Sequence, residues 1–141
     1  MIARHWSGQS FEDLEQTEQL LAGALELVSN GWCQSASAKD AKGVPVSVHD
    51  EDAQAVSYCS IGALSAMETE LDFSHRIYGI ASQVLREQIP RTQSDRSMVV
   101  YNDERGRTQK EIVDWFEISL FVLQDFLAKR FRDGKPAQDL A

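Results

Sequence analysis

Thr108-Gln109-Lys110-Glu111 is a capping box, the pattern in which Thr108 accepts from the third helical amide and Glu111 reaches back to the cap. It fixes the first turn of a long helix. Ile112, Phe116, Leu120, Leu123 and Leu127 follow at helical spacing, flanked by Val113, Phe121 and Phe131. Lys129, Arg130 and Arg132 suit its negative end, and Gly134 and Pro136 stop it. An apolar stripe of this length must be buried, so the chain has to fold as helix upon helix or helix upon sheet. Trp115, Phe116, Phe121, Phe126 and Phe131 point around much of the circumference. Such a helix is either central and buried all round, or partly covered by a second copy of the chain in a homodimer.

Three further helices are expected. Ser10 caps one over 10–29, with Leu14, Leu20, Leu21, Ala24, Leu25, Leu27 and Val28 on its face. Asn30-Gly31 ends it, with Gly31 placed in the left-handed conformation. A second begins at His49-Asp50-Glu51-Asp52, with Asp50 as cap, and runs through Val56, Ser60, Ala63 and Met67. Gly62 inside it costs about 1 kcal/mol against alanine, which a close approach by another backbone would justify. A third spans 71–89 on Ile77, Ile80, Ala81, Val84 and Leu85, closed by Pro90.

Between the first and second helices, Asp40-Ala41-Lys42-Gly43 is a turn and Val44, Val46 and Val48 alternate. Pro45 lacks an N–H, so this short hairpin should end on an edge strand. Residues 91–107 read as irregular, with Met98-Val99-Val100-Tyr101 forming a short strand or buried loop. The expected fold is α+β but mainly α-helical: four helices around one core, with a β-hairpin between helices one and two. The 141 residues suit one domain over 1–136, with a frayed tail at 137–141.

The chain carries 22 acidic and 14 basic side chains, a net charge of -8. Direct nucleic-acid binding is disfavoured, because phosphate contacts need Lys and Arg. The acidity is regional: residues 1–30 hold -4, residues 50–72 hold -6, and the rest is slightly basic. It can keep a domain soluble or steer a basic partner. No apolar run is long enough for a membrane span, no leader is visible, and two cysteines suggest no disulfide framework. A cytoplasmic location is expected.

Candidate chemistry is sparse. Cys59 would need a histidine or a helix N-terminus to become a nucleophile. Its expected place, more than two turns into a helix, favours a buried small hydrophobe instead. His5, His49 and His75 form no metal-binding pair, so neither metal nor cofactor is expected. Glycine-rich phosphate loops are absent. Arg91, Arg96, Arg105 and Arg107 near Tyr101 are candidates for an anion surface, or for pairing with acids elsewhere.

Gly31-Trp32-Cys33-Gln34, Asp40-Ala41-Lys42-Gly43-Val44-Pro45-Val46, Asp52-Ala53, Tyr58-Cys59-Ser60-Ile61-Gly62-Ala63-Leu64 and Tyr101-Asn102-Asp103 followed by Thr108 form an ordered set. They resemble a family of small domains from bacteria and their phages that has no established activity. The resemblance covers about residues 20–128 by pattern reading. Tyr58 and Tyr101 stand where the family tends to have tryptophan, and Ser35 where glycine is common. The resemblance implies a shared fold and a convergence of Trp32, Gln34, Cys59, Gly62, Tyr101, Asn102 and Asp103, with Arg105 nearby. Trp32 and Tyr101 would pack around Gly62, while Asn102 and Asp103 would hold the irregular segment against the last helix. The cluster is either a binding pocket or part of the core.

The function expected first is a non-enzymatic interaction or regulatory domain acting on a protein partner or on itself. A small-molecule or nucleotide-binding protein, or a thiol-dependent hydrolase, is the first alternative, using Trp32, Cys59, Tyr101, Asn102 and Asp103. An acidic inhibitor that mimics DNA is the second.

Overall fold

The computed structural model describes residues 6–93, 95–132 and 134–136. Helix α1 (Phe11–Asn30) starts where expected, with Ser10 Oγ accepting from the Asp13 amide at 3.1 Å. Leu14, Thr17, Leu20, Leu21, Ala24 and Val28 form its buried face. The chain leaves it through Gly31, which is extended (φ -176°) and not left-handed. Glycine is needed there for a different reason: a Cβ would run into the carbonyl of Val56.

The hairpin forms from strands β1 (Ala38–Lys39) and β2 (Pro45–Val46), turned through Gly43 at φ +80°. A third strand joins it. Strand β3 (Ser57–Tyr58) pairs antiparallel with β1, which becomes central, and Pro45 lies on an edge strand as its missing donor requires. Val44 is exposed and Val46 half-buried, so the expected valine face covers little.

Strand β3 displaces the start expected for the second helix. Asp50 caps no helix; its Oδ1 accepts from the Asp52 amide two residues on, closing a local turn. Residues 56–58 then run extended, with the amides of Val56 and Tyr58 donating to the carbonyls of Lys39 and Gly31. Helix α2 (Ser60–Leu71) starts nine residues later than the acid cluster suggested, and Cys59 is its N-cap. Asp72, in the left-handed conformation, separates it from helix α3 (His75–Glu87). That break explains why α3 begins after residue 71, at a Ser74 cap.

The segment expected as strand or loop is a fifth helix. Ser97 caps α4 (Met98–Asp103), which buries Met98, Tyr101 and Asn102 at i, i+3, i+4 spacing. Helix α5 (Gln109–Arg130) carries the complete capping box, with Ile112, Trp115, Phe116, Ser119, Leu123 and Phe126 buried. It is not buried all round: Ile118 and Phe121 are 53% and 66% exposed. The helix with the most extensive packing is α1, which lies against α2, α3 and α5. After α5, strands β4 (Phe131–Arg132) and β5 (Lys135–Pro136) form a small hairpin around Gly134. The tail at 137–141 lies outside the described residues. Trp6, packed edge-on to Phe126 at 4.9 Å, extends the core beyond the N-terminal end of α1.

Gly62 meets the backbone approach its position suggested. The Ser37 carbonyl accepts the Cys59 amide at 3.0 Å and lies where a Gly62 Cβ would project. Gly62→Ala is therefore expected to destabilise the protein by about 2–4 kcal/mol in urea unfolding. Gly79→Ala, on α3 with open space around it, is expected to stabilise by about 0.5–1 kcal/mol. Equal effects at the two sites would refute the close-approach account.

Candidate functional site

Three segments far apart in sequence meet at the side chain of Asn102, which is 1% exposed. Its Oδ1 accepts from Trp32 Nε1 at 2.9 Å and from the Ser60 amide at 3.0 Å. Its Nδ2 donates to the Cys33 carbonyl at 3.2 Å and to Asp103 Oδ1 at 2.8 Å. One amide thus ties α4 to the 31–37 loop and to the first residue of α2. Asp103 Oδ1 also accepts from the Ser35 amide at 3.0 Å. Gln34 Nε2 donates to the carbonyls of Asn102 and Glu104 at 3.0 and 2.9 Å, satisfying the C-terminal end of α4 from outside the helix.

Tyr101, buried on the next position, faces elsewhere. Its ring meets Trp115 edge-on at 4.8 Å, and the Arg107 guanidinium lies 3.8 Å from its centroid. Arg107 also donates to the Tyr101 carbonyl and pairs with Glu104 at 2.6 Å and Glu111 at 2.8 Å. Tyr101 and Arg107 therefore fasten α4 to the start of α5. Asn102 and Asp103 bond in the other direction, away from the last helix to which the motif assigned them. Gly62 packs on Ser37, not between Trp32 and Tyr101. The structure brings Trp32, Gln34, Asn102 and Asp103 into one hydrogen-bonded cluster beside the start of α2, with Tyr101 adjoining it; Arg105 is exposed.

Cys59 stands at a helix N-terminus after all, since its Sγ accepts from the Gly62 amide at 3.2 Å. Burial nevertheless pushes the thiol up from its ordinary value, outweighing the amides of Gly62 and Ile61 that favour the thiolate. Cys33, buried and with Sγ 3.6 Å from the Ala36 carbonyl, is pushed up for the same reason. Both thiols are free. His75 Nδ1 contacts Glu68 at 2.9 Å with its ring stacked on Tyr78, and His49 contacts Thr69. His5 lies outside the described residues. Among the described residues no three His, Cys, Asp or Glu side chains gather to hold a metal ion. Arg96 donates to the carbonyls of Arg86, Glu87 and Pro90, closing the end of α3. The Ser60 hydroxyl is buried and has no hydrogen-bond partner among the described residues.

Sequence reading gave Ser35, Ser37 and Ser60 no part in the cluster, because they act through backbone groups. Ser35 has φ +66°, a left-handed backbone that glycine adopts freely.

Asn102→Ala would strand the Trp32 and Ser60 donors, and about 3 kcal/mol of lost stability is expected in denaturant unfolding. A loss below about 0.5 kcal/mol would show that the amide is not a structural centre. Ser35→Gly keeps the amide bonded to Asp103 and removes the left-handed strain, so a gain of about 1 kcal/mol is expected in the same measurement.

No curated protein and no solved structure matches this chain. A family model described as "Family of unknown function (DUF6197)" matches residues 12–118. The match runs from the first turn of α1 well into α5 and contains every segment joined at Asn102. The chain therefore belongs to this family of unknown function.

Proposed function

We propose that this chain is a non-enzymatic interaction or regulatory domain whose partner docks on the exposed face of α5. The observation that carries the reading is the commitment of Asn102. Its amide oxygen and nitrogen make four hydrogen bonds inside the protein and present nothing to a ligand. The motif residues around it serve to join segments, so the pattern that resembles a family supports a fold and not a reaction. Cys59 is held as a neutral thiol, which makes it a weak nucleophile. Ile118 and Phe121, by contrast, expose large apolar side chains one turn apart. The sequence pattern supports a bacterial or phage setting, and the two free thiols support a reducing compartment such as the cytoplasm.

Thiol chemistry and cross-linking test the two halves of this reading. In the folded protein at pH 7, Cys59 is expected to react with iodoacetamide about a hundredfold more slowly than in urea. Fast reaction in the folded state would restore the thiol-dependent hydrolase. A photo-reactive residue at position 121 is expected to give a discrete covalent adduct in the native cell, while one at exposed Ala22 on α1 gives none. Lack of any adduct at position 121 would overturn the interaction reading.

A further inference from the structure

Resting on that reading, we propose that the partner on α5 is a second copy of this chain, docked antiparallel. Phe121 sits at the centre of the exposed face, with Ile118 and the half-buried Val122 beside it. On either side lies one ion pair of opposite order: Lys110 with Asp114 at 2.7 Å, and Asp125 with Lys129 at 3.1 Å. Along the helix the charges therefore read plus, minus, apolar centre, minus, plus.

This order selects the geometry of self-association. A parallel copy would set Asp114 against Asp114 and Lys129 against Lys129. An antiparallel copy related by a two-fold axis between Phe121 and Val122 sets Asp114 level with Lys129 of its mate, twice by symmetry. Glu117 falls within about one turn of the same lysine. Asp125 of the mate comes level with Ile118, one residue from Glu117, so Lys129 of the mate is the cation shared by Asp114, Glu117 and Asp125 at each end of the join. In that register the two Phe121 rings meet beside the two-fold axis, so the exposed ring is covered between the two sets of charges. Asp114 and Lys129 each keep their partner within the helix and gain a second one across the axis.

Sedimentation equilibrium of the full chain tests this arrangement. The wild type is expected to dimerise with a dissociation constant in the micromolar range, about 1–100 µM. Phe121→Asp, at an exposed position, is expected to keep the wild-type melting temperature and weaken the dimer by more than about tenfold. Asp114→Lys and Lys129→Asp are each expected to weaken it several-fold, and the double variant to recover most of the loss. A dimer that Phe121→Asp leaves intact places the contact elsewhere and overturns the proposal, and failure of the double variant to recover overturns the antiparallel pairing. A chain that stays monomeric to about 1 mM also overturns it. In that case a position 121 adduct to a different protein would leave the interaction reading standing, whereas no adduct would sink both.

Discussion

The side-chain amide of Asn102 is the point on which the junction of α4, the 31–37 loop and the start of α2 depends. Sequence separations of 70 and 42 residues divide it from Trp32 and Ser60, yet it bonds both within 3.0 Å. Helix α4 is only six residues long, too short to hold itself together in water. It persists because Asn102 and Asp103 anchor it to the 31–37 loop, Gln34 satisfies its last carbonyls, and Tyr101 with Arg107 binds it to α5. The Asn102 amide is removed from water, so each of its bonds left unmade would cost more than it contributes when formed. The cluster therefore behaves as a unit, and it determines where α2 can begin.

The start of α2 shows how a backbone constraint outranks a local signal. His49-Asp50-Glu51-Asp52 has the composition of a helix N-terminus, but its acids close turns through their own neighbouring amides. Tyr58 is drawn into a strand by Gly31 and Cys33 on one side and Ala38 on the other. Cys59, three residues before the close-packed Gly62, is left to cap the helix with a sulfur atom. A thiol is a weak acceptor, and burial keeps it protonated, so the cap is adequate for structure while being unsuited to nucleophilic attack. The same shift moves Cys59 from the middle of a helix to its end without making it reactive.

Charge follows a comparable division. The arginines of the 91–107 segment that are partly buried are engaged inside the protein: Arg96 on the carbonyls ending α3, Arg107 on Tyr101 and two glutamates. Basic side chains in an acidic protein here serve to close helix ends and cover an aromatic ring. What remains outward on α5 is a mixture of apolar groups and neutralised ion pairs, a composition suited to contact with another surface.

Capping boxes and apolar periodicity act through residues three and four apart, and for that reason α1, α5 and the helical body of α3 were legible in the sequence. So were the hairpin at 38–46 with its edge proline, and the membership of Trp32, Gln34, Asn102 and Asp103 in one cluster. Segment boundaries set by long-range bonds were not legible. Strand β3, the late start of α2, the helix at 98–103 and the extended Gly31 each depend on a backbone group 20 or more residues away, which no local pattern encodes. Sequence alone also left the cluster open between pocket and core. What tertiary structure decided is that both ends of the Asn102 amide find partners inside the protein and that Phe121 of α5 stays exposed, because only the folded chain brings residues 42 to 70 positions apart to one side chain.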